Sequence, residues 1–169
     1  ERCLENGFLY QWLAGDIRRS QTDQTASFGQ IIHGLQTHDQ VGNHPLGQRL
    51  GTLAGPGAQR AAAALILLYP SIPFIFMGEE FATPSPFCFF VDFGDPWLRD
   101  AVIQGRKREY EHHDWQEFIS PLDESAFLRS KLPPHQAGDE LSRDWYRQLL
   151  AIRKDWIKNG ILQPGNLKV

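Results

Sequence analysis

The sequence predicts an α/β chain built on parallel strands, and three observations carry that expectation. Two short apolar runs, residues 31–35 (IIHGL) and 72–77 (IPFIFM), each end abruptly in polar residues, the pattern of strands buried on both faces. Between them residues 59–69 hold runs of Ala and Leu with no breaker, a strong helix former. Strand, helix and strand in that order make a βαβ unit, whose parallel strands open their C-terminal ends on one side.

Taken in order, residues 1–30 read as irregular, because Gly7, Gly15, Gly29 and the polar stretch 18–25 sustain no period. The first strand delivers Gln36, Thr37, His38 and Asp39 at its exit. Residues 42–57, rich in Gly and carrying Pro45 and Pro56, read as a long loop, of a length that is often functional. The helix 59–69 is apolar nearly all round, so it is expected to be buried, and Pro70 ends it. The second strand runs into Gly78, Glu79 and Glu80, so His38 and Asp39 should share one cleft with the two glutamates. Residues 81–96 read as a loop crowded with Phe87, Phe89, Phe90 and Phe93. Residues 98–113 form a charged surface helix started by Asp95 and Pro96. Leu141, Trp145, Leu149, Ile152 and Trp156 recur at helical spacing and mark an amphipathic helix that Gly160 stops. The tail reads as the opening of another unit, a C-terminal β domain, which divides the chain at 1–157 and 158–169.

Composition narrows the function classes. The 169 residues are 41% hydrophobic and 22% charged, with a net charge of -3, which disfavours disorder and gives no cationic field for nucleic acid. The most apolar stretch, 61–77, is interrupted by Pro70 and Pro73 and is too short to span a bilayer, so no membrane partner is expected. Cys3 and Cys88 could form one disulfide at most, and a chain of this size needs none, so a reducing compartment, the cytoplasm, is expected. The start at Glu1 carries no secretory signal pattern and reads as cut from something longer.

A polar pair at the exit of a parallel strand, such as His38 and Asp39, can bind sugar hydroxyls or oppose a developing positive charge. The plainer alternative is that Asp39 caps a turn or pairs with Arg49. Glu79 and Glu80 are either a solvated strand end or carboxylates beside a glycosidase cleft. His38, Asp39, His44, Glu79 and Glu80 could converge on a metal, but no recognised ligand spacing supports it and none is expected. His112 and His113 suit the end of a helix dipole, Arg106, Lys107 and Arg108 a solvated or salt-bridged face, and Trp145 and Trp156 the core. The loop phenylalanines either stack on sugar faces or plug the loop.

Several stretches together resemble the alpha-amylase superfamily of glycoside hydrolases and, within it, the malto-oligosyltrehalose trehalohydrolase family. QTHDQVGN at 36–43 with GQRL at 47–50 looks like the end of the seventh barrel strand, and IPFIFMGEE at 72–80 like the eighth strand and its exit. SPFCFFVD at 85–92, GRKREY at 105–110 and AFLRSKL at 126–132 resemble stretches typical of the trehalohydrolases. The resemblance implies the last two strands of a (β/α)8 TIM barrel with their helices, and hydrolysis that releases trehalose from malto-oligosyltrehalose with no cofactor. It implies that Asp39 stabilises the transition state, and that His38, Gln40, Asn43, Arg49, Glu79, Glu80 and Phe87 bind a malto-oligosaccharide substrate. The family's nucleophile and general acid lie on earlier strands, with the rest of the barrel, so this segment alone should be inactive. The stretch LRDAV at 98–102 looks like the nucleophile motif but has the wrong Arg spacing, order and helical setting. A branching enzyme, an isoamylase or a non-catalytic carbohydrate-binding remnant are the alternatives.

Overall fold

A computed structural model describes residues 10–13, 16–19, 28–109, 111, 115–132, 139–163 and 166. The expectation that the first thirty residues are irregular is corrected: β1 (Tyr10–Leu13) and β2 (Asp16–Arg19) pair antiparallel, with Leu13 opposite Asp16. A 3-10 turn at Phe28–Gln30 then leads into β3 (Ile32–Gly34).

The parallel unit forms as expected. β3 pairs with β4 (Ile72–Phe74) in parallel, Ile32 opposite Ile72 and Gly34 opposite Phe74. A side chain at Gly34 would meet the Phe74 ring at 3.1 Å, so glycine is what lets the strands approach. The apolar side of this pair stands open, as expected of two strands that pair, among the described residues, only with each other: Ile32 is 60% exposed and Ile72 45%.

The predicted 42–57 loop is largely helical. α1 (His38–Asn43) starts at Thr37, whose hydroxyl accepts from the Asp39 N–H while Gln40 bonds back to the Thr37 N–H, a reciprocal cap. α2 (Leu50–Ala54) follows, and α3 (Pro56–Leu67) begins with Pro56 at its first position, where its missing N–H costs nothing. α3 is not buried all round: Gln59, Ala63 and Leu67 face inward, while Leu65 is 61% exposed.

α4 (Pro96–Glu109) is capped by Asp95, which accepts the Trp97 N–H at 2.8 Å. The LRDAV stretch lies within this helix, and His112 and His113 lie outside the described residues. α5 (Glu124–Ser130), not foreseen, is capped by Asp123. α6 (Glu140–Lys158) packs along α3, and Ala63, Leu67, Tyr146 and Leu149 form the core. Its buried face is rotated from the predicted stripe. Ser142, Tyr146 and Leu149 face inward, whereas Leu141 is 62% and Ile152 40% exposed. Polar partners explain the rotation: Arg153 donates to the Leu67 and Tyr69 carbonyls at 2.8 and 2.7 Å and to that of Ser71. Trp145, partly buried, donates to the Arg60 carbonyl at 2.9 Å. Among the described residues no helix is long and apolar enough to cross a membrane.

Candidate functional site

The C-terminal ends of β3 and β4 carry the site, and the residues there divide by depth. On the surface, His38 and Asp39 occupy the first turn of α1, with side chains 69% and 75% exposed and His38 Nε2 3.2 Å from Asp39 Oδ1. A carboxylate suits that position, where free backbone N–H groups point outward. Asp39 does not pair with Arg49. Gln40 is exposed, but its side-chain carbonyl serves the Thr37 cap, accepting that N–H at 2.7 Å. Asn43 is half-buried and accepts from Arg106 Nη1 at 3.0 Å, while Arg106 Nη2 holds the Gly42 carbonyl at 2.8 Å.

The Arg106 guanidinium also stacks 4.3 Å from the Phe89 ring centroid, and Lys107 sits over Phe118. These basic residues of α4 therefore clamp loops and rings rather than forming a solvated face. Phe87 is half-buried, edge-on to Phe76 at 5.1 Å and to Phe90 at 6.5 Å, and its N–H donates to the Gly47 carbonyl at 2.9 Å. Gly47 has φ +61, and a Cβ there would lie 2.7 Å from the Phe87 carbonyl oxygen, so only glycine allows the two loops to cross.

Beneath this surface lies an interior layer built around Arg49 and Glu79. Arg49 and Glu79, expected beside His38 and Asp39 at the open edge, are 1% and 3% exposed. Arg49 Nε donates to the Ser85 carbonyl at 2.6 Å and Nη1 to that of Met77 at 2.7 Å, pinning the exit of β4. Its guanidinium lies 5.1 Å from the Phe76 ring centroid. Burial lowers its pKa, and the charges of Glu79 and Glu80 oppose that. Glu79, in a 3-10 turn at Glu79–Phe81, accepts from the Tyr146 hydroxyl at 2.9 Å and from Gln36 Nε2 at 3.2 Å. Burial raises its pKa, and those hydrogen bonds oppose the rise. Burial beside that carboxylate also drives the Tyr146 hydroxyl upward. Glu80 is half-buried.

Gln36, Gln59 and Tyr146 are the members of this layer that sequence reasoning missed. Gln59 donates to the Glu79 carbonyl at 2.7 Å, and a lone Gln in an Ala-rich helix was the available signal. The suggested metal cluster does not assemble: His44 Nδ1 accepts the Leu46 and Gln48 amides at 3.3 and 3.4 Å while Glu79 lies inside. Among the described residues no three His, Cys, Asp or Glu side chains are placed to hold a metal. Cys88 is a buried free thiol whose pKa burial raises; Cys3 lies outside the described residues.

No family model matches the chain. Curated relatives do. It is 43% identical over 122 residues to the malto-oligosyltrehalose trehalohydrolase of Saccharolobus solfataricus, across 72% of this chain and 20% of that protein. It is 40% identical over 161 residues to the Mycobacterium tuberculosis protein of the same name, across 89% of this chain and 28% of that one. A crystal structure of a protein assigned as an alpha amylase from Salmonella typhimurium superposes with a TM-score of 0.76 at 35% identity, covering 91% of this chain and 27% of that chain. The chain thus spans 20% to 28% of the curated relatives' length. It is an α/β segment related to the malto-oligosyltrehalose trehalohydrolases of the alpha-amylase superfamily.

Proposed function

We propose that the chain is part of a glycoside hydrolase that releases trehalose from malto-oligosyltrehalose by cleaving the α-1,4 bond next to the trehalose end. In this reading β3 and β4 are the last two strands of a (β/α)8 barrel, residues 1–157 belong to the barrel and 158–169 open a following domain. Asp39 stabilises the oxocarbenium-like transition state of a retaining reaction. A fixed carboxylate facing that developing positive charge lowers the barrier because its attraction grows as the charge forms. His38 beside it offers a ring nitrogen to a sugar hydroxyl, and Gln40, Asn43, Glu80 and Phe87 border the same edge. The observation that carries the reading is the exposure of Asp39 on a capped turn at the exit of a parallel strand, inside a stretch similar to these relatives.

The test is a hybrid: the Saccharolobus solfataricus relative with its matching stretch replaced by the corresponding residues of this chain. Asp39→Asn in that hybrid is expected to lower kcat on the order of 10²-fold or more, with a smaller change in KM. Unchanged kcat would remove Asp39 from the mechanism. The 169-residue chain alone is expected to release no trehalose.

A further inference from the structure

Gln36 immediately precedes the Thr37 cap of α1, is 3% exposed, and makes two hydrogen bonds of opposite sense. Its Oε1 accepts the Leu50 N–H at 3.1 Å, and its Nε2 donates to Glu79 Oε2 at 3.2 Å. A backbone N–H can only donate, so the orientation of the Gln36 amide is dictated rather than free. Glu79 must therefore accept at Oε2, while the Tyr146 hydroxyl holds Oε1 and Gln59 holds the Glu79 main chain. The Glu79 carboxylate thus joins the exit of β3 to the middle of α6, its main-chain carbonyl ties in the inner face of α3, and Gln36 ties in the start of α2.

We propose that Glu79 is a positioning residue for Asp39, acting through Gln36 to set the depth and rotation of the first turn of α1. The inference rests on reading Asp39 as the charge-stabilising carboxylate and names what holds it in place. α1 has six residues, too few to define its own direction in water, so its orientation comes from its contacts, buried Val41 in the middle and a grip at each end. Gln36 grips the N-terminal end from inside, and Arg106 grips the C-terminal end through Gly42 and Asn43. Asp39 stands between the two grips. A misplacement of about 1 Å at a reacting group costs rate far more than it costs binding.

Three variants test this. Gln36→Leu and Glu79→Leu break the link; Glu79→Gln keeps it, since its Oε1 can accept from Gln36 while its Nε2 donates to the Tyr146 oxygen. On the chain itself, amide hydrogen exchange in α1 is expected to speed up by about tenfold or more in Gln36→Leu, with the α3 amides unmoved and the Glu79→Gln variant protected. In the hybrid, Gln36→Leu is expected to lower kcat roughly 10- to 100-fold with KM within about threefold, and Glu79→Gln to keep kcat within about threefold. Unchanged α1 exchange in Gln36→Leu, or kcat and KM that move together, would overturn the inference. If Asp39→Asn abolishes turnover while Gln36→Leu leaves it intact, positioning fails and the proposed function stands. If Asp39→Asn changes nothing, the function fails, and with it the purpose assigned to the link.

Discussion

The exposed tip of α1 and the layer beneath it are built from the same residue types under opposite constraints. Asp39 and Glu79 both carry a carboxylate at a strand exit, yet one side chain is 75% exposed and the other residue 3%. The tip leaves its charge open to whatever approaches. Below, every oxygen of Glu79 is committed, and Arg49 holds the Ser85 and Met77 carbonyls. The contrast separates an open tip from a packed frame, and under the proposed function substitutions should sort the same way: frame residues through stability, tip residues through chemistry.

The largest expected effect is in the frame. Glu79→Leu leaves the Tyr146 hydroxyl, the Gln36 amide and the Arg49 charge short of partners, and should destabilise the chain by about 3–5 kcal/mol. Urea unfolding checks this, and a loss below about 1 kcal/mol would make the layer dispensable. Arg49→Met should follow at about 2–4 kcal/mol, from the two orphaned carbonyls. Arg49→Lys should recover less than half, because an ammonium cannot reproduce the fork that reaches both.

Glu79 also leaves a signature in pH. Burial raises its folded-state pKa, so between the ordinary glutamate value and the raised one the folded chain binds more protons than the unfolded chain. His33 and His44, whose pKa values burial lowers, add the opposite slope, and the contribution of Glu79 itself falls as pH rises through that window. Glu79→Gln should flatten this slope, which thermal melts across the acid range would reveal. The smallest effect belongs to the tip: Asp39→Asn should shift stability by no more than about 0.5 kcal/mol in either direction. A larger loss would mean that Asp39 is part of the frame after all.

What could be read from the sequence was what has a local period. The parallel βαβ unit follows from two apolar runs and an alanine-rich helix, and it is present. The helices α1 and α2 and the first turn of α3 stay hidden because Gly and Pro read as loop residues, although Gly55 before Pro56 is also how a helix begins. Thr37 and Gln40 have the spacing of a reciprocal cap, but a Gln three residues after a Thr serves a helix start or a ligand equally well in sequence. The inward face of α6 includes Ser142, Tyr146 and part of Arg153, which a count of apolar residues misplaces by about one position. The site followed the same rule. The motif around Asp39 could be recognised by similarity, but the sorting of Glu79 and Arg49 into the interior could not. Their partners come from α6 and from separate loops, and no local pattern encodes such distant pairings.

Tyr146 follows Glu79 by 67 positions, and that separation matters while the chain is being made. At roughly 5–20 residues per second, a ribosome delivers the hydroxyl on the order of 3–13 s after the carboxylate that needs it. Through that interval Glu79 keeps its water shell, and the Ala63 and Leu67 face of α3 has no helix to close against. Nascent chains are thus expected to be most open to chaperones and proteases until α6 clears the exit tunnel. Those released before Glu140 should stay open, because neither Tyr146 nor the Arg153 clamp on the end of α3 has yet been synthesised.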